Sequence, residues 1–376
     1  MWQVYQPARS IFGEGEVKNI GKYMAEAGMD KALLISTPSM VRSGIAEQVK
    51  EASDGRIIEI SDHVLPDAHV SNVNENIDIA LRIGAGSIVA LGGGSAIDCA
   101  KVTAAALGEG VRAEKFLGNQ FRAEKVLPIL AIPTTSGSGS ELTGDAGLHG
   151  DRPGEMGGII MNPHIIPCVA IVDSELTYSV PASVTANTGF DALCHAIDAL
   201  GSIHANPYTD AQAECAVRLV IENLEAAVKD GSDKKARAGL SAASHIAAFA
   251  FSQAGITGTH ATGFAICGRY HIPHGAGCAF APEYWLKANS RVRPELEDSA
   301  RRIGFDNVDG LCERIVQLRE NVGIAGTLTE LGYQPGDESM LAKMTLHMFP
   351  MALNVAKPTE EELLEMYSSR IYTAHR

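Results

Sequence analysis

The strongest constraint in this sequence is a change of pattern near residue 180. Before it, short apolar runs alternate with amphipathic stretches, whereas only amphipathic stretches follow it. The apolar runs are rich in Val, Ile, Leu and Ala, and they lie at 31–36, 57–61, 87–91, 126–132 and 168–173. Most of them lack polar alternation, which is typical of strands in a parallel sheet covered on both faces. The first part of the chain is therefore predicted to fold as repeated β-α-β units.

The later amphipathic stretches predict a second, helical domain. In them apolar residues recur three and four positions apart, at 183–201, 209–229, 235–253, 294–303, 308–322 and 359–369. The predicted fold is an α/β N-terminal domain at residues 1–180, followed by an all-α C-terminal domain at 181–376.

Composition and charge exclude several classes of protein. The net charge of −14 over 376 residues argues against nucleic acid and anionic membranes as partners. The first residues lack the basic segment and apolar core of a signal peptide, and no run of about 18 apolar residues predicts a membrane span. The seven cysteines are scattered without a CxxC pair, so reduced thiols and a cytoplasmic location are predicted.

A glycine-rich turn follows the third predicted strand. Gly93, Gly94 and Ser95 lead directly into a helical stretch in which Asp98 occupies the first turn. Glycines let the backbone approach a pyrophosphate, and the helix N-terminus offers free N–H groups to it. A plain strand-to-helix turn explains this segment equally well when it is taken alone.

A second polar loop follows the next predicted strand and carries Thr134, Thr135 and Ser138. Taken alone, it is a flexible surface loop. Two such loops after successive strands of a parallel sheet favour a nucleotide site, because ligands bind at the carboxyl ends of the strands. The GxGxxG spacing of the standard dinucleotide fingerprint is absent.

Four side chains have the spacing of metal ligands. Asp191 and His195 are four residues apart in a helical stretch, so they lie on one face of the helix. His260 and His274 are 14 apart, on a helix and in the turn that follows it. One carboxylate and three imidazoles suit Fe(II) or Zn(II) with a position left for a substrate oxygen. Packed or solvated histidines are the simpler interpretation of each residue alone.

Several motifs in order resemble the iron-containing (group III) alcohol dehydrogenase family. They are GGGSAIDCAK at 92–101, IPTTSGSGSE at 132–141, TGFDALCHAIDA at 188–199 and HATGFAICGRYHIPHG at 260–275. The resemblance covers roughly residues 5–285. It implies the dehydroquinate synthase-like architecture, with NAD or NADP bound between an α/β domain and a helical domain.

The resemblance also implies site residues. The family's metal ligands fall on Asp191, His195, His260 and His274, and the bound ion is expected to be Fe(II), with Zn(II) as the alternative. The cofactor-binding positions fall on Thr37, Gly93, Gly94, Ser95, Asp98, Thr134, Thr135 and Ser138. In this family the metal polarises a carbonyl oxygen while the nicotinamide delivers a hydride to the carbonyl carbon.

The sequence departs from the family pattern at three places. Many members carry His where this chain has Phe264, so His271 becomes the candidate catalytic residue for proton transfer. NAD-preferring members often carry Asp where this chain has Thr37, so both NAD and NADP are permitted. The segment 153–164 has no Lys or Arg, although a cofactor-contacting Lys is common in the family near 155–160.

The predicted function is a metal-dependent, NAD(P)-linked alcohol dehydrogenase or aldehyde reductase acting on a small substrate. Arg269 and His271, close to His274, suggest an alternative dedicated to a short anionic aldehyde with a sulfonate, phosphonate or carboxylate tail. Arg269 paired with an acid, or solvated, is the simpler interpretation.

Three further interpretations are carried beside the main one. They are a cyclising lyase of the dehydroquinate synthase type, a metal-free maleylacetate reductase and a non-catalytic cofactor-binding protein on the same fold. A homodimer or larger homo-oligomer is a family-based expectation.

Overall fold

Six parallel strands form the central sheet of the first part of the chain. The computed structural model describes residues 1–119, 121–152 and 157–372. The strands are β1 Arg9–Phe12, β2 Ala32–Ser36, β3 Ile57–Ser61, β4 Ser87–Gly92, β5 Ile129–Pro133, β6 Asp145–Leu148, β7 Gly158–Met161 and β8 Val169–Val172. The strand order in the sheet is β1-β8-β5-β4-β2-β3, and β6 and β7 form a separate antiparallel pair.

Helices cover both faces of this sheet. Leu33 and Ile35 pack into one apolar core, while Leu34, on the same strand, packs into the core on the opposite face. Both cores are mainly apolar, which explains why the strand sequences lack polar alternation. The helices of this part are α1 Ile20–Glu26, α2 Pro38–Arg42, α3 Ile45–Glu51, α4 Val70–Ile83 and α5 Gly94–Glu109.

Helices make up the rest of the chain, where no strand lies among the described residues after β8. They are α6 Ala182–Leu200, α7 Pro207–Lys229, α8 Lys234–Ala254, α9 Gly258–Tyr270, α10 His274–Cys278, α11 Pro282–Val292, α12 Leu296–Ile303, α13 Val308–Asn321, α14 Asp337–His347 and α15 Glu360–Ser368. None of the helices in the described ranges combines the length and apolar character needed to cross a bilayer.

The chain divides into two compact units. One comprises residues 6–177 and is called the sheet unit, and the other comprises residues 1–5 with 178–376 and is called the helical unit. The predicted fold class, a parallel α/β domain with a helical C-terminal region, is confirmed.

The strand predictions were right for the five buried strands and missed three short ones. The missed strand β1 lies at the edge of the sheet and is mostly exposed, so it lacks an apolar run. The missed strands β6 and β7 are four residues each and pair only with each other. Such short segments bury too few side chains to produce a strand pattern in the sequence.

The order of the strands places the two predicted nucleotide loops side by side. Strands β2, β4 and β5 are neighbours and parallel, so the segments that follow them leave the same edge of the sheet. The chain runs outward from β2 to β3 on one side and from β4 to β5 and β8 on the other. The sheet therefore has its topological switch point between β2 and β4, where open α/β sheets bind ligands.

Candidate metal centre and nucleotide loops

Helix α6 carries two of the predicted ligands. Asp191 and His195 lie one turn apart on this helix, and both side chains are buried. The imidazole of His195 is stacked between Phe251, at a ring-centroid distance of 3.9 Å, and His260, at 4.4 Å. Packing on both faces of the ring fixes its orientation.

Helices α9 and α10 carry the other two predicted ligands. His260 lies in the first turn of α9 and is 1% exposed. The chain leaves α9 through His271, whose φ of 54° is left-handed, and enters α10 at His274. The sequence predicted His274 in a turn, whereas it is the first residue of a short helix. Both imidazoles approach Asp191 from these two helices.

The three predicted histidine ligands converge on Asp191. Its Oδ1 atom is 3.6 Å from Nε2 of His260 and 3.6 Å from Nε2 of His274. Nδ1 of His195 is 3.9 Å from the same oxygen. These separations exceed a hydrogen bond and are close to the roughly 3.4–3.6 Å between ligands of one tetrahedral metal ion.

Three of these atoms are buried without a hydrogen-bond partner within the described residues. They are Oδ1 of Asp191, Nδ1 of His195 and Nε2 of His260. A buried polar atom without a partner costs free energy, so such atoms are rare and require an explanation. A divalent cation held among them would satisfy all three, and carboxylate plus imidazole is a donor set that Fe(II) and Zn(II) accept. The residues therefore fit the implied metal.

Asp198 orients one of the ligands, and the sequence analysis did not identify it. Its Oδ2 lies 2.8 Å from Nδ1 of His260, which keeps a proton on Nδ1 and turns Nε2 toward Asp191. Asp198 also accepts N–H bonds from Thr257 and Thr259 at the start of α9. It occupies position 198 on the face of α6 that bears residues 191 and 195, a spacing of four and three that could have revealed it.

Replacing Asp198 with Asn should weaken metal binding by about 10- to 100-fold, the usual effect of removing a carboxylate that orients a ligating histidine. The amide keeps the size of the side chain but not its charge. Metal titration against a chelator of known affinity measures the change. Asn223→Asp on α7, which alters charge in the same unit away from the cluster, serves as the control. An unchanged affinity in Asp198→Asn would remove the orienting role.

The cluster shifts the acidity of its members in opposite directions. Burial lowers the pKa of His195 to about 3. Burial also opposes protonation of His260, but the carboxylates of Asp191 and Asp198 outweigh it and raise its pKa to about 9. For Asp191 burial acts to raise the pKa, yet the imidazoles of His195 and His260 lower it. In the metal-free cluster His260 is thus in its charged, doubly protonated form at neutral pH.

Metal affinity should therefore depend on pH. A cation must displace the proton that His260 holds below its pKa of about 9. The apparent affinity should rise about tenfold per pH unit toward that value and level off above it, because metal binding releases the proton. Zinc titrations at several pH values between neutrality and alkaline pH measure the slope. An affinity that is flat over this range would contradict the assignment.

Three residues singled out beside the ligands have different surroundings. Phe264 packs on His274 at a centroid distance of 5.5 Å and on Phe349 at 5.8 Å, so it forms an apolar wall beside the ligands. His271, the candidate catalytic residue, is exposed at the end of α9. Arg269 donates through Nε to Asp337 at 2.8 Å, which matches the simpler of the two interpretations for this residue.

The nucleotide loops lie together at the carboxyl edge of the sheet. Gly93 lies between β4 and α5, and a Cβ added to it would lie 3.1 Å from Oγ1 of Thr135. The amide of Thr134 donates to the carbonyl of Gly92, which joins the two loops. The first amides of α5 have no side-chain cap, so they are available to an anion. This narrow cradle fits a diphosphate.

The remaining predicted cofactor positions lie on these loops or beside them. Thr37 caps α2, and its Oγ1 is 2.8 Å from Oγ of Ser39. Gly94 begins α5, where a Cβ would meet Ser138, and Oγ of Ser95 accepts the amide of Asp67 at 3.1 Å. The family's lysine position near 155–160 falls partly on residues 153–156, which lie outside the described residues.

A buried network built on α5 supports both loops. Asp98 accepts hydrogen bonds from Oγ of Ser140, at 2.6 Å, and from the amide of Gly147, at 2.8 Å. Lys101, one turn later and fully buried, donates to Ser140 and Thr143 and to the carbonyl of residue 145. Each oxygen of Asp98 thus bonds within the protein, and its contact with a cofactor hydroxyl stays a prediction.

Replacing Lys101 with Met should raise the Kd for NADH by about tenfold, because loss of preorganisation worth roughly 1.4 kcal/mol lowers affinity by that factor. The substitution removes the donor of three hydrogen bonds, one to Ser140 in the loop at 133–141 and two to Thr143 and residue 145 just after it. Titration of NADH fluorescence measures the Kd, and Lys115→Met at an exposed position of the same unit is the control. The metal content should not change. Equal NADH affinity in both variants would contradict this role.

The comparisons with known proteins agree with this architecture. The model described as iron-containing alcohol dehydrogenase matches residues 7–174, and the model for the C-terminal part of the Fe-containing alcohol dehydrogenase family matches residues 185–371. The chain belongs to the iron-containing alcohol dehydrogenase family and is an oxidoreductase of that family.

Relatives of known name cover nearly the whole chain. Alcohol dehydrogenase 4 of Schizosaccharomyces pombe is 32% identical over 372 residues, 97% of this chain and 88% of the relative. The 1,3-propanediol dehydrogenase of Citrobacter freundii is 32% identical over 384 residues, 98% of each chain. Sulfoacetaldehyde reductase of Bifidobacterium kashiwanohense, solved in complex with NAD+, superposes with a TM-score of 0.94 at 31% identity over 100% of both chains.

Proposed function

We propose that the protein transfers a hydride between NAD(P) and a small aldehyde or alcohol, with the carbonyl oxygen held at a divalent metal centre. One observation carries this proposal. Unpartnered atoms of Asp191, His195 and His260 converge in a buried cluster, beside a carboxylate that fixes the tautomer of His260. A metal-free reductase would have no use for three buried polar atoms without partners.

Asp191, His195, His260 and His274 would hold the cation. When bound, Fe(II) or Zn(II) supplies a Lewis acid that stabilises negative charge on a carbonyl oxygen. Asp191 offsets part of the ion's charge, and Asp198 holds Nδ1 of His260 so that Nε2 faces Asp191. Phe264 excludes water from one side of the cluster, where many relatives carry an imidazole. Proton exchange with solvent is assigned to the exposed His271.

The sheet unit would bind the nicotinamide cofactor, which supplies the hydride. The proposed domain ranges are 1–180 for cofactor binding and 181–376 for the metal and the substrate. Amides of the loop at residues 93–95 would hold the diphosphate, and Thr134, Thr135 and Ser138 would line the phosphate and nicotinamide region. Thr37, which caps α2, brings no negative charge against a 2′-phosphate, so NADP is accepted beside NAD.

Steady-state assays of the metal-loaded protein test the proposal. Protein loaded anaerobically with Fe(II), or with Zn(II), is mixed with NADH or NADPH and short aldehydes, and absorbance of the reduced cofactor is followed. We expect turnover that disappears on metal removal and returns on reloading. Turnover that survives complete metal removal would favour a metal-free reductase. Cofactor binding without turnover of any aldehyde would favour a non-catalytic protein.

A short anionic aldehyde is the second candidate substrate. The observation in its favour is the close superposition on a sulfoacetaldehyde reductase over the full length of both chains. Against it, the guanidinium of Arg269 is already paired with Asp337. Comparison of kcat/KM for sulfoacetaldehyde and for neutral propanal decides between the two. A homo-oligomer and a cytoplasmic location are also proposed, and size-exclusion chromatography with light scattering tests the former.

A further inference from the structure

Cys278 places a thiol against the candidate metal centre. It is the last residue of α10, one helical turn after His274, so the two side chains share a face of this helix. Its Sγ is buried and lies 3.6 Å from Nε2 of His274. The ligand atoms of Asp191, His260, His274 and Cys278 all lie within 4.8 Å of one another.

The spacing of these atoms matches a shared ion. A zinc–sulfur bond of about 2.3 Å and a zinc–nitrogen bond of about 2.1 Å place the two ligand atoms roughly 3.6 Å apart at a tetrahedral angle. The separation of Sγ from the imidazole nitrogen of His274 is 3.6 Å, and each of the two imidazole nitrogens is 3.6 Å from Oδ1 of Asp191. The thiol thus lies at the distance from His274 that a further ligand of the same ion would have.

The neighbouring atoms point independently to a ligand at this place. Oδ1 of Asp191 and Nε2 of His260 are buried and have no hydrogen-bond partner in the described part of the chain. Both atoms belong to the same group of possible ligand atoms as the thiol. His195 is not one of these four residues, but its Nδ1 is 3.9 Å from Oδ1 of Asp191, and it stays in the proposed ligand set, so the thiol would be an additional ligand.

Packing holds the thiol in this position. A Cβ added to Gly263 on α9 would lie 2.5 Å from Sγ of Cys278, so only glycine leaves room for the sulfur there. Helices α9 and α10 are in close contact at this point, and the sulfur fills the space between them. The close packing of α10 on α9 therefore restricts the space around the thiol.

We propose that Cys278 is a thiolate ligand of this metal centre and that it biases the centre toward Zn(II) over Fe(II). The proposal rests on the proposed metal-dependent function. Coordination replaces the S–H bond by a sulfur–metal bond, and the proton leaves to solvent. Thiolate is a soft ligand that selects zinc over harder cations, whereas imidazole and carboxylate accept both metals.

Cobalt substitution of the full-length protein tests this assignment. The protein is stripped of metal and reloaded with Co(II), and its absorption spectrum is recorded in the near-ultraviolet and the visible. A cobalt–thiolate bond gives an intense charge-transfer band in the near-ultraviolet, which nitrogen and oxygen ligands do not give. We expect this band in wild type and its loss in Cys278→Ser and Cys278→Ala, with the visible cobalt bands retained. Cys194→Ser, a buried thiol on α6 beside the cluster, should keep the band.

The outcomes separate this proposal from the proposed function. Visible cobalt bands without a charge-transfer band in wild type would overturn the thiolate ligand and leave the metal centre intact. Loss of the charge-transfer band in Cys194→Ser but not in Cys278→Ser would also overturn the assignment of Cys278 as a ligand. No cobalt binding by folded wild type would overturn both the ligand and the metal centre.

Competition between the two metals tests the bias. Metal-free protein is equilibrated anaerobically with Zn(II) and Fe(II) together, and the ratio bound is measured after desalting. We expect the preference for zinc over iron to fall by about tenfold or more in Cys278→Ala, since even partners outside the ligand shell change affinity by that factor. An unchanged ratio would contradict the bias.

Discussion

A Gly275→Ala variant should bind the metal about 10- to 100-fold more weakly. This is the loss of affinity seen when a residue that orients a metal ligand is removed. Gly275 follows the predicted ligand His274 on α10, and a Cβ at this position would lie 2.0 Å from the carbonyl oxygen of Asn187 on α6. That oxygen belongs to the backbone, so α10 itself must move. Because α6 carries Asp191 and α10 carries His274, the movement separates two ligands.

The stability of the variant should also fall. Forcing one methyl group into this contact is expected to lower the free energy of unfolding by about 1–3 kcal/mol. The matched control is Gly268→Ala on α9, where the nearest atom to the added Cβ is 3.6 Å away on Met344. Alanine there should preserve the metal content and raise helix stability by roughly 0.5–1 kcal/mol. Equal metal content in both variants would contradict the close packing of α10 on α6.

Replacing Asp191 with Asn should lower kcat/KM for aldehyde reduction by roughly 10³-fold, which corresponds to about 4 kcal/mol of lost transition-state stabilisation. Asp191 lies between the imidazoles of His260 and His274 and is the anionic member of the predicted ligand set. Asparagine has the same size but carries no charge to hold a cation. Metal analysis and steady-state kinetics on the same preparation give both readouts.

Asp210→Asn is the matched control for this substitution. Asp210 is a half-buried carboxylate on α7 that pairs with Arg293, so its loss removes an ion pair of the same unit without touching the cluster. It should cost stability but leave metal content and kcat/KM close to wild type. Similar kinetic losses in the two variants would show that Asp191 acts through stability alone.

The buried sheet could be predicted from the sequence because its strands lie in two apolar cores. Successive residues such as Leu34 and Ile35 face opposite cores, so both must be apolar and the whole strand reads as an apolar run. The edge strand β1 and the pair formed by β6 and β7 carry no such run, since each is only four residues long.

The metal cluster could be predicted only in part. The spacing of four residues placed Asp191 and His195 on one helix face, but the pairing with His260 and His274 depended on the resemblance to a family. Distant helices bring these residues together, and no local pattern encodes that contact. Asp198 and the proposed ligand Cys278 were missed, although each follows a predicted histidine ligand at a spacing of three or four residues.

The network of Asp98 and Lys101 shows a different limit. The sequence placed Asp98 in the first turn after the glycine loop and suggested contact with a cofactor. The structure adds its bonds to Ser140 and to the amide of Gly147, which lie more than 40 residues away in the chain. Long-range hydrogen bonds of this kind leave no periodic signal, so the supporting role of Lys101 became visible only in the fold.

Metal content per chain tests the central claim most directly. Wild type and a double variant, His260→Ala with His274→Ala, are loaded anaerobically with Fe(II) or Zn(II), desalted and analysed for metal. The account predicts about one ion per chain in wild type and none in the folded double variant, because two of the protein ligands are gone. A folded wild-type protein that retains no metal, or a double variant that retains as much as wild type, would contradict it.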